Sequence, residues 1–404
     1  MIPNRGEYRV QVANRAVEIE YAIRDMLALA TEVERSGKKV IYLNIGDPAK
    51  FDFQTPAHVR TALTRAVETG CNYYAASEGI SALREAVAEK EKEMNSVPIS
   101  GENVIVTSGI SEGIQFLMGA IVQPGDEILV PGPTYPPYIS FTKYFGGVPI
   151  AYRTVENDDW LPDLEDLHNK ISDRTRAMAI VNPNNPTGSL YDERTLKRML
   201  DIAAEYKLLV ISDEIYDRLV YDSKFTSTAS LAKDIPVVGL NGFSKTYVMT
   251  GWRLGYIYFH DPAGSLKELK EAIAKESRIR LCTATPIQYA AVKALKGSQK
   301  HITRMVGTLK KRRDHFLNRI RSIDGLTCVT PKGAFYLFPR VSLNGRWKSD
   351  KDFAVDLVRK TGVLVVNGSG FDETYGAEHF RTVFLPPTNV IDEAANRIEQ
   401  FMRS

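Results

Sequence analysis

Apolar and polar positions follow two different rhythms along most of the chain. Between about residues 56 and 300, short runs of apolar, β-branched residues are separated by longer amphipathic stretches. This order is typical of βα units around a mostly parallel sheet. The short runs predict strands at residues 104–107, 127–130, 177–181, 208–212 and 237–240. The amphipathic stretches predict helices at residues 81–93, 111–122, 192–205 and 263–277.

After about residue 300 the pattern changes to that of a separate α+β unit. Its predicted elements, in order, are helix 301–321, strands 326–328 and 335–339, helix 351–360, strands 363–366 and 379–384, and helix 390–401. Near the N-terminus the pattern predicts only a helix, 22–36, and an extended run, 40–45. We therefore predict three parts: an N-terminal segment, 1–48, that packs on the small domain, a large domain, 49–304, and a small domain, 305–404.

Length and charge narrow the possible functions. A chain of 404 residues exceeds one typical hydrophobic core. Its 52 basic and 49 acidic residues give a net charge of +3, too balanced for a nucleic-acid footprint. No apolar run approaches the roughly 20 residues that span a bilayer, and the N-terminus lacks the apolar core of a secretion signal. We expect a cytoplasmic protein that binds neither nucleic acid nor membranes.

The three cysteines, Cys71, Cys282 and Cys328, are far apart and odd in number. They form neither a disulfide framework nor the paired spacing of a metal site. The sequence therefore predicts a reducing compartment and no bound metal.

The segment NGFSKTYVMTGWRLGY places Lys245 eight residues before Arg253. A lysine with an unprotonated amine can form a Schiff base with an aldehyde, and an arginine can bind a phosphate through two N–H groups. Pyridoxal 5′-phosphate (PLP) carries both an aldehyde and a phosphate. Taken alone, the segment also fits a solvated surface lysine, which is the more common case.

Two more polar motifs follow predicted strands. Asp213 and Tyr216 come after strand 208–212, where an aspartate can keep a pyridine nitrogen protonated and a tyrosine can hydrogen-bond the ring's phenolic oxygen. An N-cap aspartate and a packed tyrosine explain these residues equally well. Asn185 lies in the turn NPNNPTG after strand 177–181, where prolines can hold its amide toward a ligand. Because parallel strands end at one edge of a sheet, one crevice can collect these side chains.

The turn TSGISE joins strand 104–107 to the next helix. Its backbone N–H groups and the Ser111 hydroxyl can hold a phosphate, although helix capping alone would favour the same residues. Tyr135, which lies between prolines, could stack on a flat ring or be an ordinary buried aromatic residue.

Nearly the whole chain resembles the fold-type I, PLP-dependent class I and II aminotransferases. The resemblance implies an α/β fold: a large PLP-binding domain with a mostly parallel seven-stranded sheet sandwiched by helices, and a smaller α+β domain. It also implies that Lys245 is the catalytic Schiff-base residue and that Arg253 binds the cofactor phosphate. The other implied cofactor contacts are Gly109, Ile110, Ser111 and Ser244 near the phosphate, Tyr135 on the ring face, and Asn185, Asp213 and Tyr216 around the ring edge.

Further matches concern the substrate and a second subunit. Arg381, in HFRTVFLPP, matches the family's arginine for the substrate α-carboxylate, and Gly46 matches a glycine of the substrate pocket. Tyr74, in NYYAASEG, matches a tyrosine that reaches the phosphate of the neighbouring subunit, which implies a homodimer. The chain departs from many members at Ile110, where they have a second glycine, and at Gly242, where some have a phosphate-binding serine.

Within the family, the segments EYAIRD, LNIGDPAKFDF and HFRTVFLPP resemble the alanine aminotransferase branch. In that branch the tyrosine matching Tyr21 closes over a small substrate side chain, and Asn185 and Arg381 hold the substrate. The implied reaction moves the amino group of L-alanine to 2-oxoglutarate, giving pyruvate and L-glutamate in ping-pong half-reactions.

Other functions remain open at this point. They are an aminotransferase for aspartate or aromatic amino acids, a PLP-dependent β-lyase, and a non-catalytic ligand sensor. Arg280 could read the distal carboxylate of a substrate or be a surface residue at a helix end. Cys282 fits a small buried residue.

Overall fold

The computed structural model describes residues 10–17, 19 and 22–404. In chain order its strands are β1 (Ile41–Tyr42), β2 (Val104–Thr107), β3 (Glu127–Gly132), β4 (Val148–Val155), β5 (Leu161–Pro162), β6 (Thr175–Val181), β7 (Leu209–Asp213), β8 (Val237–Gly242), β9 (Gly255–His260), β10 (Leu326–Thr327), β11 (Tyr336–Leu337), β12 (Arg340–Val341), β13 (Val363–Leu364), β14 (Val366–Asn367) and β15 (Phe380–Val383).

The α-helices alternate with these strands over most of the chain. They are α1 (Asn14–Val17), α2 (Ala22–Arg35), α3 (Ala57–Glu68), α4 (Ser81–Asn95), α5 (Ile110–Ile121), α6 (Pro136–Tyr144), α7 (Leu164–Asn169), α8 (Glu193–Glu205), α9 (Thr228–Leu231), α10 (Lys267–Ile279), α11 (Thr285–Lys296), α12 (Lys300–Arg321), α13 (Asp350–Thr361) and α14 (Thr388–Arg403). Within the described residues, none of these helices has the length and apolar character to cross a membrane.

Eight strands form the main sheet, in the order β2-β9-β8-β7-β6-β3-β4-β5. The strands from β8 to β4 run parallel, while β9 is antiparallel to both of its neighbours. The predicted α/β class with a mostly parallel sheet is confirmed. Beyond the seven expected strands, the two-residue β5 pairs antiparallel with β4 at the edge. The carboxyl ends of β6, β7 and β8 lie side by side in this order.

Successive residues of each strand alternate between the two faces of the sheet, as the two-residue period of a strand requires. Val104 and Val106 of β2 pack into a core with α4, α8 and α11, whereas Ile105 packs with α5, α6 and α10 on the opposite face. In β6, Met178 joins the first core and Ala179 the second. Helices therefore cover both faces of the sheet.

The sequence pattern misses three strands of the main sheet, β4, β9 and the two-residue β5. β4 is mostly exposed or half-buried, so it lacks a clear apolar face. β9 is buried along its whole length and therefore shows no alternation of apolar and polar residues. β4 and β9 therefore lack the alternating pattern that predicts a strand, and β5 is too short to show one.

A third core joins the N-terminal residues to the last hundred residues. β1 pairs in parallel with β13, with Ile41 beside Val363, and Met26 of α2 shares one cluster with Leu364. These are the contacts expected of an N-terminal segment that packs on the small domain. The three-part domain division itself stays a prediction, and α12 runs unbroken across the boundary predicted between the two domains.

A buried ionic cluster anchors the chain just beyond β7. Lys90 of α4 contacts the carboxylates of Asp217 at 2.5 Å and Glu91 at 2.9 Å. Asn241, near the end of β8, donates to Asp217 at 3.0 Å. Burial alone would lower the pKa of Lys90, but the two carboxylates raise it above its ordinary value. The cluster thus ties α4 and β8 to the segment that begins at Asp213.

Glu214 lies next to this cluster and has a perturbed carboxyl group. It accepts hydrogen bonds from the hydroxyls of Ser212 and Ser227, both at 2.9 Å, and of Tyr258 at 3.1 Å. Burial, together with the negative charge of Glu91, raises the pKa of Glu214 to about 8. The folded protein therefore holds a proton on Glu214 at neutral pH.

We expect Glu214→Gln to remove a pH-dependent loss of stability. Because the folded-state pKa of about 8 lies above the ordinary value of 4.5, the folded chain binds more protons than the unfolded chain between these values. The contribution of Glu214 to the free energy of unfolding therefore falls as pH rises through this window, by up to about 1.4 kcal/mol per pH unit. Glutamine keeps an oxygen to accept from Ser212 and Ser227, presents an amide donor to the Tyr258 hydroxyl, and does not titrate.

Urea unfolding at several pH values tests this expectation. The stability of the glutamine variant relative to the wild type should increase from about pH 5 to about pH 8. A difference that stays constant over this range would contradict the assigned pKa.

Candidate active site

A cavity of about 450 Å³ opens at the carboxyl ends of β6, β7 and β8. Open α/β sheets bind their ligands at this edge. Most of the sequence-predicted site residues line it: Gly46, Ile110, Ser111, Tyr135, Asn185, Asp213, Tyr216, Ser244, Lys245, Arg253 and Arg381.

Three predicted residues do not line the cavity. Gly109 packs against the guanidinium of Arg253, and Arg253 itself lines the cavity. Tyr74 is 80% exposed and belongs to a different surface of the chain. Tyr21, expected to close over the substrate side chain, lies outside the described residues, whereas Ile23 and Arg24, which follow it, do line the cavity.

Lys245 enters the cavity from the loop after β8. Its Nζ donates a hydrogen bond to the carbonyl oxygen of Gly46 at 2.7 Å. The same atom lies 5.6 Å from the ring centroid of Phe335 and 6.0 Å from that of Tyr216. The amine is therefore held between aromatic rings by one neutral acceptor.

The electrostatic surroundings favour the unprotonated form of this amine. Burial lowers the pKa of Lys245 to about 8, although the charge of Asp47 opposes the shift. The positive charge of Arg381 adds to the lowering. Near pH 8 a large fraction of Lys245 is therefore a free amine, the form that attacks an aldehyde.

Arg253 and the start of α5 converge at one end of the cavity. A β-carbon added to Gly109, which has φ 81°, would lie 2.5 Å from Nη2 of Arg253. A β-carbon on Gly255 would lie 2.9 Å from both the Gly109 carbonyl carbon and the Ile110 nitrogen. Glycine at both positions lets the guanidinium approach the helix N-terminus. A phosphate fits between this cation and the first amides of the helix.

The two departures from the family pattern have physical explanations. Ile110 is the first residue of α5, and its helical backbone needs no second glycine. At Gly242 a β-carbon would lie 2.9 Å from the Cα of Gly255 on the paired strand, so a serine would disturb that pairing. Ser244 lines the cavity and stays the predicted hydroxyl for the phosphate.

Asp213 ends β7 and is buried beside two hydrogen-bond donors. The Tyr138 hydroxyl donates to Oδ2 at 3.1 Å, and the Ile215 amide donates to Oδ1 at 3.2 Å. Burial raises the pKa of Asp213 to about 7, against the effect of these donors and of Lys245. A buried carboxyl of this kind stabilises a cation beside it, such as a protonated pyridine nitrogen. Sequence reasoning missed Tyr138, whose only signal is its place three residues after Tyr135.

Tyr216 also faces the cavity and has a buried aromatic partner. Its hydroxyl lies 2.7 Å from the hydroxyl of Tyr336 on β11. A β-carbon on Gly46 would lie 2.3 Å from the Tyr336 oxygen, so glycine at this position leaves room for Tyr336. Tyr336 is absent from the predicted site residues because its run, FYLF, is typical of any buried strand.

Arg381, on β15, is 1% exposed. Its Nη1 donates to Oδ1 of Asn185 at 2.8 Å and its Nη2 to the carbonyl oxygen of Asn44 at 2.5 Å. The guanidinium carbon lies 4.4 Å from the ring centroid of Tyr336 and 4.8 Å from that of Phe371. Both acceptor oxygens are uncharged. Within the described residues, Nε of Arg381 has no hydrogen-bond partner. A buried guanidinium in this state is suited to bind a carboxylate.

The loop after β6 is shaped by Asn184 rather than Asn185. Oδ1 of Asn184 accepts hydrogen bonds from the amide of Thr187 at 3.1 Å and from its hydroxyl at 3.0 Å. Asn185 is thereby left to face the cavity, where it meets Arg381.

Arg280 lies outside the cavity. Its Nη2 donates to the carbonyl oxygens of Val106 at 3.1 Å and Ser77 at 3.3 Å, and its Nε lies 3.5 Å from Oε1 of Glu112. Burial lowers the pKa of Arg280. It is therefore neither a solvated surface residue nor part of the cavity of its own chain.

Large apolar side chains are exposed near Arg280. Ile279 is 86% exposed and Leu281 is 54% exposed, and Tyr74 is 80% exposed. Thr285 donates to the carbonyl oxygen of Tyr73 at 2.6 Å, which holds the two segments together. We call this area the 74/279/281 surface. Exposed apolar side chains of this kind are common at surfaces that contact other proteins.

The cavity residues fit PLP. Lys245 offers a free amine for the aldehyde, and Asp213 offers a carboxyl for the ring nitrogen. The convergence of Arg253 with the first turn of α5 suits the phosphate.

Comparisons with known proteins agree with this fit. The family model described as aminotransferase class I and II matches residues 38–398. Glutamate-pyruvate aminotransferase AlaA of Haemophilus influenzae is 34% identical over 378 residues, covering 92% of this chain and 93% of that protein. Alanine aminotransferase of Mycobacterium tuberculosis is 34% identical over 380 residues, covering 93% and 88%. The solved structure of an alanine aminotransferase from Pyrococcus furiosus has a TM-score of 0.95 and 51% identity, covering 97% of this chain and all of that one.

The matched region extends beyond both Gly46 and Arg381 and so contains all the cavity residues predicted from the sequence. The predicted resemblance to the alanine branch is confirmed by the proteins to which the chain is similar. The chain belongs to the aminotransferase class I and II family, and it is a PLP-dependent aminotransferase.

Proposed function

We propose that this aminotransferase transfers the amino group of L-alanine to 2-oxoglutarate, giving pyruvate and L-glutamate. Arg381 is the main observation behind the proposal, because a buried guanidinium with a free Nε suits the α-carboxylate that these substrates share. The names of the similar proteins, which are alanine and glutamate-pyruvate aminotransferases, support alanine as the amino donor.

One cavity has to accept both a methyl group and a side chain that ends in a carboxylate. Ile23 and Ile45 form an apolar wall of the cavity, which suits the methyl group of alanine. Arg24 also lines the cavity and is exposed, and its guanidinium has no ion pair within the described residues. A long arginine side chain at the rim can reach the distal carboxylate of 2-oxoglutarate and withdraw when alanine is bound. We assign this role to Arg24, the exposed arginine that lines the cavity.

Lys245 is the residue that we assign to proton transfer. Its amine would hold the cofactor aldehyde and, when free, would act as the base that removes the proton from the substrate Cα. The bound cofactor supplies the electron sink that stabilises the negative charge on Cα. Asp213 would stabilise a proton on the ring nitrogen, and the Tyr216 hydroxyl would donate a hydrogen bond to the phenolic oxygen.

The remaining side chains hold the reactants in place. Arg381 and Asn185 orient the substrate carboxylate so that the Cα–H bond faces Lys245. Tyr135 packs on the cofactor ring. The cofactor phosphate would be held by Gly109, Ile110, Ser111, Ser244 and Arg253, which would fix the cofactor without taking part in proton transfer.

We further infer that two copies of the chain form one functional unit. The 74/279/281 surface exposes large apolar side chains, and a second copy of the chain would cover them. Tyr74, which cannot serve the cavity of its own chain, would then reach the phosphate in its partner's site.

Lys245→Ala should abolish the formation of pyruvate from L-alanine and 2-oxoglutarate, by at least about a thousandfold, because the variant lacks the proton-transfer group. It should also lose the visible absorbance of the lysine-bound cofactor. Lys197→Ala, on the exposed face of α8, is the matched control and should behave like the wild type. Normal pyruvate formation by Lys245→Ala would refute the assignment.

Arg24→Gln should separate the two substrates. Loss of one charge-assisted contact should raise KM for 2-oxoglutarate by about tenfold or more and change kcat/KM for L-alanine by less than about twofold. Arg381→Lys, by contrast, should impair both half-reactions, since both substrates carry an α-carboxylate. Equal losses for both substrates in Arg24→Gln would contradict the assigned role.

Subunit complementation tests the role of Tyr74. Lys245→Ala and Tyr74→Ala chains, each impaired alone, should regain activity when they are co-expressed. One of the two sites in such a mixed dimer combines an intact Lys245 with the intact Tyr74 of the other chain. Co-expression that restores no activity, although mixed dimers form, would show that Tyr74 does not act across the interface.

A further inference from the structure

We propose that Tyr336 is a positioning residue that strengthens Tyr216 as a hydrogen-bond donor to the phenolic oxygen of the cofactor. The inference rests on the role proposed above for Tyr216. It adds a residue of the C-terminal unit to the machinery that controls the charge of the bound cofactor.

The hydroxyls of Tyr216 and Tyr336 meet beside the cavity that both residues line. The hydroxyl oxygens of Tyr216 and Tyr336 are 2.7 Å apart, and the residues are 3% and 2% exposed. The rings meet edge to face, with centroids 5.9 Å apart and an interplanar angle of 85°. Both residues line the cavity. The contact is therefore a buried hydrogen bond at the site itself.

The protons of the two phenols determine the direction of the hydrogen bond between them. Each phenol has one proton to donate, and in the free protein either oxygen can be the donor of this bond. When the Tyr216 hydroxyl donates a hydrogen bond to the cofactor, Tyr336 has to be the donor of the hydrogen bond between the two tyrosines. A hydroxyl that accepts a hydrogen bond becomes a stronger donor, so Tyr336 reinforces the contact that Tyr216 makes.

Tyr336 is held in place by its strand pairing and by the Arg381 guanidinium. Tyr336 pairs with Val383 in the β11–β15 ladder, and Arg381 lies two residues earlier on β15 and therefore on the same face. The Arg381 guanidinium packs 4.4 Å from the ring centroid of Tyr336, and Gly46 leaves space for the hydroxyl. Burial raises the pKa of Tyr336, while the charge of Arg381 opposes that rise and favours proton donation.

The test uses Tyr336→Phe, which keeps the ring and removes only the hydroxyl. The readout is the pH midpoint of the visible absorbance of the holoenzyme, which reports protonation of the nitrogen that joins Lys245 to the cofactor. A weaker donor at Tyr216 leaves more negative charge on the phenolic oxygen, and that charge retains the nearby proton. We expect the midpoint to rise by about 0.5 pH unit, which is part of the free energy of one hydrogen bond.

Controls separate this effect from a loss of packing. Tyr221→Phe removes another buried phenolic hydroxyl, bonded to the carbonyl oxygen of Ala334 at 2.6 Å, and should leave the midpoint unchanged. If Tyr336→Phe lowers cofactor occupancy, 3-fluorotyrosine in place of Tyr336 tests the same bond in the opposite direction. Its hydroxyl is a stronger donor, and the midpoint should fall.

Tyr216→Phe separates the proposed role of Tyr216 from the proposed role of Tyr336. It should raise the midpoint by more than Tyr336→Phe does, and the double variant should equal Tyr216→Phe alone. A shift in Tyr216→Phe without any shift in either Tyr336 variant would overturn the role of Tyr336 only. No shift in Tyr216→Phe would overturn the proposed role of Tyr216 itself, and with it this inference.

Discussion

The Arg381 guanidinium is buried in the wall of the cavity, and it donates hydrogen bonds to neutral oxygens of Asn185 and Asn44. Burying such a cation without a carboxylate partner costs several kcal/mol. The aromatic faces of Tyr336 and Phe371 offset part of this cost. The positive charge of Arg381 has two consequences. It attracts a carboxylate into the cavity, and it helps to lower the pKa of Lys245.

Placing these groups so close together depends on tight contacts between backbone segments. Gly46 makes room for the hydroxyl of Tyr336, and Gly255 lets β9 approach the turn before α5. On the opposite side of Asp213, the ionic cluster around Lys90 holds the segment that carries the site carboxyl. The charges are therefore positioned before a ligand arrives, which is the condition for electrostatic catalysis.

Much of the main sheet and one edge of the site could be predicted from the sequence. Asn185, Asp213 and Lys245 each follow a parallel strand, and the geometry of such sheets brings those ends together. Tyr336 and Arg24 could not be predicted in this way. Tyr336 meets Tyr216 across 120 residues of sequence, so the contact depends on how the C-terminal unit packs on the sheet. No local pattern of apolar and polar positions contains that information.

The identity of the amino donor is the central claim about this enzyme's biology. It is tested most directly by measuring kcat/KM of the holoenzyme for L-alanine, L-aspartate and L-tyrosine, with 2-oxoglutarate as the acceptor. The apolar wall formed by Ile23 and Ile45 predicts the highest value for L-alanine. A value for L-aspartate or L-tyrosine about tenfold or more above that for L-alanine would contradict this account.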